Sequence, residues 1–262
     1  MIQTKISIVT VVYNGVQIIE ETIISVVNQT YQNIEYIIID GGSFDGTQDI
    51  IKKYEEKISY WISEKDNGIY HAMNKGIEIA SGNYIIFMNA GDQFYKKETI
   101  SHIFKETINY DLVYGNTLLN TNGKKSLSRA KSFEKINYGM PFCHQSVFVK
   151  QELMRQYNFS LNYKLASDYN FFLILYNQHK YSFKRTDEII SIYDNCGASM
   201  SLDTIREKLM IIKKHYSFSR PFVFYFCQLK YYTFTSFLKK KLPHSLLITL
   251  IKLKRKIWSF SL

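Results

Sequence analysis

Unbroken runs of apolar and β-branched residues alternate with helical spacings through the first third of the chain. Residues 6–14, Ile-Ser-Ile-Val-Thr-Val-Val-Tyr-Asn, form such a run, and Gly15 ends it. A strand covered on both faces loses the alternation of a half-exposed one, so this run predicts a buried strand. Residues 17–29 then carry Ile18, Ile19, Ile23, Val26 and Val27 at helical spacing. Residues 34–40 predict a second buried strand, followed by a helix over 48–57 with Thr47 as its cap. A shorter strand over 58–64, a turn at Asp66-Asn67-Gly68 and a helix over 69–80 come next. Residues 84–92, Tyr-Ile-Ile-Phe-Met-Asn-Ala-Gly-Asp, predict a buried strand that runs into small residues. Such repeated strand–helix alternation predicts an α/β fold with a mostly parallel sheet and helices on both faces.

The second half is less regular. A strand over 111–119 ends in the turn 120–123, and the basic stretch 124–131 reads as loop or edge. A strand over 143–149 leads to a helix over 150–157. Residues 165–170 open a helix that runs through 176, with Ser167 as N-cap and Asp168 in the first turn. A last strand over 188–193, a loop of small residues over 195–199 and a helix over 202–216 complete the pattern.

Three of the strand units end at or near an aspartate: Asp40, Asp66 and Asp92. The ordinary job of an Asp after a strand is to cap a helix or hold a turn. Three on successive units converge on one crevice at the carboxyl ends of the strands, where open α/β sheets bind ligands. Small residues before Asp92 let a ligand approach the backbone closely.

Charge and composition add a partner. The net charge of +10 calls for an anionic one: nucleic acid, a membrane surface or a phosphorylated substrate. The cysteines, Cys143, Cys196 and Cys227, are too widely spaced for a metal pair or a disulfide framework, which points to a reducing cytoplasm. No N-terminal secretory segment is visible, and no apolar run of about 18 residues predicts a membrane-spanning helix. Residues 221–237 are crowded with aromatics, and Lys239, Lys240, Lys241, Lys252, Lys254, Arg255, Lys256 and Trp258 follow. A solvated charged face is the plain alternative. The mixture of Lys and Arg with Trp, Phe and Leu favours attachment to an anionic membrane surface. No RNA or DNA motif accompanies it, so no nucleic-acid partner is expected.

These stretches resemble the family 2 glycosyltransferases, the inverting enzymes of GT-A (Rossmann-like) fold, over residues 6–199. The pieces that carry the resemblance are 7–14, 38–47, the stretch Glu64-Lys65-Asp66-Asn67-Gly68-Ile69-Tyr70-His71-Ala72-Met73-Asn74-Lys75-Gly76, 87–92, His144-Gln145-Ser146 and Ala166-Ser167-Asp168-Tyr169. The branch it most resembles builds bacterial capsule, O-antigen or exopolysaccharide. The resemblance implies a catalytic domain over 1–200. Residues 1–115 would bind a nucleotide-sugar donor, a UDP-sugar, and 116–200 would face the acceptor. Residues 201–262 would form a helical, basic, aromatic appendage. Asp40 would accept a hydrogen bond from the pyrimidine, and Asp45 and Asp66 would contact uridine or ribose. Thr10, Tyr13 and Asn89 would also line the donor site. Asp92 would hold Mg²⁺ or Mn²⁺, and Asp168 would be the general base. His144 and Gln145 would shape the acceptor side. Ser199 and Arg206 would reach the diphosphate, although a solvated helix face is the simpler reading of Arg206. The acceptor is expected to be a lipid-linked saccharide at the inner face of the cell membrane.

Two departures stand out. The acidic cluster is thinned to Asn89-Ala90-Gly91-Asp92, and His71 stands where a carboxylate is more usual. Two rivals remain: a non-catalytic binding module of the same fold, and a nucleotidyltransferase. The second calls for a Gly-rich, basic phosphate loop after the first strand. Tyr13-Asn14-Gly15-Val16-Gln17 stands there instead, with no basic residue.

Overall fold

The computed structural model describes residues 3–106, 108–121, 123–194, 201–216 and 220–239. The chain divides into two compact units, Met1–Gly197 and Ala198–Leu262.

The first unit opens with β1 (Ile6–Val12), α1 (Ile19–Val27), β2 (Ile34–Asp40), α2 (Thr47–Lys53), β3 (Tyr60–Ser63), α3 (Ile69–Ile79) and β4 (Tyr84–Phe87). The alternation expected from the sequence is present. These strands lie in the order β3-β2-β1-β4 and all pair in parallel. Every residue of β1 and β4 is buried, which explains the missing alternation in both.

Beyond β4 the sheet becomes mixed. It continues through β5 (Gln93–Phe94), α4 (Thr99–Ile103), β6 (Leu112–Thr121), β7 (Lys124–Ser128), β8 (Val147–Lys150), α5 (Gln151–Tyr157), α6 (Ser167–Asn177) and β9 (Phe183–Asp194). The order runs β4-β8-β6-β9-β5, with β7 on β6. β8 is antiparallel to both neighbours, and β6 and β9 are parallel to each other. The nine strands form one sheet, parallel at the end that carries the aspartates and mixed at the other.

Local expectations shift in several places. The buried run of residues 84–92 is strand only as far as Phe87, but the Met88 and Ala90 N–H groups still donate to the Val9 and Val11 carbonyls of β1 (2.9 and 3.2 Å), and the chain turns at Gly91 (φ 97°). Thr47 and Ser167 are the first helical residues, not the caps. Gly46 and Ala166 hold the cap positions, and Asp45 Oδ1 accepts from the Thr47 N–H. The 3₁₀ turn at His144–Ser146 replaces the polar start of the predicted strand. The basic stretch 124–128 is the edge strand β7, and β9 starts earlier than its apolar core suggests. β5 and α4 are too short to leave a periodic signal.

The amino-terminal edge is tied by Glu35. It accepts from Lys5 Nζ (2.7 Å), Ser7 Oγ (2.5 Å) and the Ser81 N–H (2.7 Å), joining β1, β2 and the turn before β4. Burial alone would raise this carboxyl; the bonds from Lys5, Ser7 and Ser81 overcome it and hold it at about 2. A depressed carboxyl stabilises the fold above its unfolded value of 4.5, and the contribution is lost as pH falls toward 2. Glu35→Gln is therefore expected to lower unfolding stability at pH 7 and to flatten its decline between pH 4.5 and 2. Denaturant titrations across that range check this, and an unchanged acid limb would contradict it.

In the second unit, α7 (Leu202–Tyr216) and α8 (Arg220–Lys239) pack on one another. Arg206 pairs with Asp203 on its own helix at 2.8 Å, with both side chains exposed, as expected of a solvated face. No helix among the described residues is long and apolar enough to cross a membrane. The loop over 195–199, with Ser199, and the basic residues from 240 onward lie outside the described residues.

Candidate active site

The carboxyl ends of β1, β2 and β3 open onto a cleft of about 570 Å³, within the range of small-molecule sites. Tyr13, Gly41, Lys65, Asp66, Gly68 and Ala72 line it. A second cavity of about 510 Å³ lies at the opposite strand ends, near Thr4 and Ser81, and contains none of the candidate residues.

Asp66 is the acid that faces the cleft. Its Oδ1 pairs with Lys75 Nζ (2.6 Å) and His71 Nδ1 (3.1 Å). Its Oδ2 is buried without a hydrogen-bond partner. A methyl group added at Gly41 would stand 3.3 Å from that oxygen, so the glycine keeps the space beside it clear. His71 and Lys75 are one helical turn apart on α3, which lets both reach one carboxylate. Burial alone would lower the Lys75 ammonium; Asp66 and Glu64 outweigh this and raise it. α3 itself sits tightly on β1, because a methyl at Gly76 would overlap the Val9 side chain.

Asp40 and Asp45 fasten the loop that carries Gly41. Asp40 is fully buried and accepts from Ser43 N–H (2.9 Å), Ser43 Oγ and Ser63 Oγ (both 2.5 Å). Asp45 accepts from Thr47 through Oδ1 and from the Val16 N–H through Oδ2 (3.1 Å). The Thr47 hydroxyl is the main reason its carboxyl lies below the usual range. Amides of Asn14, Gly15 and Val16 donate in turn to Ser43 Oγ, Thr47 Oγ1 and Asp45 Oδ2. A phosphate cradle after β1 needs those amides free, so the geometry disfavours a nucleotidyltransferase of that design. Thr10 is also inward: it is fully buried and donates to the Met88 carbonyl (2.7 Å), beside Tyr36 (3.1 Å). Tyr13 is exposed and meets the exposed Phe44 edge to face.

A second cluster joins the two halves of the sheet. Asn89 Nδ2 lies 3.3 Å from His144 Nε2, and His144 Nδ1 lies 3.7 Å from Asp168 Oδ2. Tyr70, at the start of α3, donates to Asp168 Oδ1 at 3.0 Å, and the Tyr169 N–H donates to the same oxygen at 2.8 Å. Burial pushes the His144 imidazole below its usual range, with the Asp168 charge opposing in part. A neutral imidazole accepts on one nitrogen and donates on the other. With Asn89 donating to Nε2, the proton sits on Nδ1 and faces Asp168. Gln145 is buried behind this pair.

Asp92 is buried in the turn after β4, its N–H bonded to the Asn89 carbonyl at 2.9 Å. Burial raises the Cys143 thiol, and the charges of Asp92 and Asp168 add to it. Among the described residues, no three His, Cys, Asp or Glu side chains gather around one point. The turn offers the Asp92 carboxylate and Asn89 Oδ1, which is buried without a partner. This oxygen-only set fits Mg²⁺ or Mn²⁺, which use one or two protein carboxylates and take further oxygens from substrate phosphates.

Sequence reasoning missed Tyr70, Ser43 and Ser63 as partners of the aspartates. The helical spacing of Tyr70, His71, Asn74 and Lys75 held part of the signal, since α3 sends groups to both clusters.

A parallel half-sheet with a ligand-sized cleft at its carboxyl edge, and a held carboxylate nearby, is the arrangement in which α/β proteins bind small ligands. A family model described as glycosyl transferase family 2 matches residues 7–187, and the chain belongs to that family. A PGL/p-HBAD biosynthesis glycosyltransferase of Mycobacterium bovis is 24% identical over 198 residues, covering 73% of this chain and 77% of the relative. Staphylococcus aureus TarS (residues 1–349), solved with UDP, superposes with a TM-score of 0.66 at 16% identity, covering 92% of this chain and 76% of that one. The mannosyltransferase PcManGT from Pyrobaculum calidifontis, solved with GDP-Man and Mn²⁺, gives 0.64 at 14% identity, covering 98% and 81%. These likenesses establish the GT-A-type fold.

Proposed function

We propose that this glycosyltransferase moves one sugar from a UDP-linked donor to a lipid-linked saccharide, with inversion, in surface polysaccharide assembly such as capsule or O-antigen. The observation that carries the reading is the His144 bridge. It sets Asp168, from the acceptor half, against the donor-side turn of Asn89. Asp66 Oδ2 favours uridine over cytidine: an acceptor-only oxygen matches a ring N–H, which uracil carries at N3 and cytosine lacks. TarS, also solved with UDP-GlcNAc, supports the same nucleotide.

In this reading Asp168 takes the proton of the acceptor hydroxyl. The acceptor oxygen forms its bond to the sugar C1 from the face opposite the diphosphate. The C1–O bond breaks, and its electron pair leaves with the nucleoside diphosphate. Asp92 and Asn89 Oδ1 would hold Mg²⁺ or Mn²⁺ with the diphosphate oxygens, and a bound ion offsets the charge on the leaving group. Calorimetry of UDP binding, with and without Mn²⁺, tests the donor side.

Residues 221–262 serve as the membrane contact at the inner face of the cell membrane. α8 exposes Val223 and Phe226, and Lys230 lies over the Phe226 ring. Removing 221–262 is expected to release the protein from vesicles of anionic lipid in a sedimentation assay. Unchanged vesicle binding by the shortened protein would reject this contact.

A further inference from the structure

Both hydrogen bonds that reach Asp168 end on one oxygen. Tyr70 Oη and the Tyr169 N–H donate to Oδ1, at 3.0 and 2.8 Å. Oδ2 has His144 Nδ1 at 3.7 Å, beyond hydrogen-bonding distance. The carboxylate is therefore asymmetric, with one oxygen tethered by hydrogen bonds and the other facing His144 without one.

We propose that Tyr70 is a positioning residue for the transfer reaction: its hydroxyl pins Asp168 Oδ1, so that Oδ2 is the oxygen that takes the acceptor proton. The proposal rests on Asp168 being the base. Tyr70 suits the task because it is itself held. It is buried and packs on Phe159, ring centroids 5.4 Å apart, while Phe159 also packs on Phe87 of β4 and Phe171 of α6. Asn74, one turn along α3, clamps the Phe159 backbone through both its N–H (2.9 Å) and its carbonyl (2.8 Å). Burial first, and then the Asp168 charge, hold the Tyr70 hydroxyl well above the usual phenol range, so it stays a donor at physiological pH. The same short helix carries His71 and Lys75 to Asp66. One rigid element thus fixes the nucleotide-facing acid and the base together.

Tyr70→Phe keeps the ring and removes only the hydroxyl. Its kcat is expected to fall about 10- to 100-fold with the donor KM unchanged, because misplacing a catalytic group costs rate and not binding. A second measurement needs no turnover. In protein carrying ¹³C-labelled tyrosine, the Tyr70 Cζ resonance is identified by its absence from Tyr70→Phe, and it is expected to move in Asp168→Ala. An unmoved resonance overturns the proposal. So does wild-type kcat in Tyr70→Phe, or a loss confined to KM. If the wild type transfers no sugar to any acceptor, the positioning role falls together with the base assignment. A resonance that still moves then locates the error in the catalytic reading and not in the contact.

Discussion

Asp168→Asn is expected to lower kcat for sugar transfer by about 10²- to 10⁴-fold, the range a positioned general base contributes. Asparagine keeps the shape of the side chain, and its amide oxygen still accepts from Tyr70 and the Tyr169 N–H. What it loses is the ability to take a proton. Asp168 does not line the cleft beside Tyr13 and Asp66, so UDP affinity is expected to stay at the wild-type value. A loss of kcat with intact UDP binding separates chemistry from donor capture. Steady-state kinetics with a lipid-linked acceptor, paired with UDP calorimetry, make the measurement. Full transfer by Asp168→Asn would remove Asp168 from the chemistry and leave it the ordinary role of a first-turn partner of the α6 dipole.

The second large effect is expected at Asp66. Replacing it with Ala removes the acceptor facing the cleft and leaves Lys75, with a side chain only 18% exposed, relying on the half-exposed Glu64. Hydrogen bonds to charged groups are worth about 1.5–3 kcal/mol, so UDP affinity should fall about 10- to 100-fold, with a visible loss of thermal stability. Nucleotide choice gives the sharper test. The wild type should prefer UDP to CDP, because cytosine N3 would face the carboxylate with a lone pair. That preference should vanish in Asp66→Ala. Equal UDP binding by wild type and variant would move base recognition elsewhere in the cleft.

The sequence carried most of the parallel, amino-terminal half of the sheet. The parallel order β3-β2-β1-β4 follows from buried strands alternating with helices, and the aspartates at their ends were visible as a set. Their individual jobs were not. Asp40, Asp45 and Asp66 look alike in sequence, yet two fasten loops through Ser43, Ser63, Thr47 and Val16 while Asp66, which lines the cleft, has one oxygen with no hydrogen bond. Partner side chains decide that, and they come from other elements. His71, puzzling as a replacement for an acid, becomes a partner of Asp66 once α3 is in place. The mixed half was harder, because β5 and α4 are too short to show a period and β7 is an exposed polar edge. Tyr70 shows no task in the sequence, since its partner Asp168 lies 98 residues away.

The most direct test of the central claim is UDP binding by calorimetry, with and without Mn²⁺, on the wild type and on Asp92→Ala. Binding that Mn²⁺ strengthens is expected in the wild type, with that strengthening lost in Asp92→Ala. Failure of the wild type to bind UDP with Mn²⁺ present would contradict the assignment of this cleft to a UDP-linked donor.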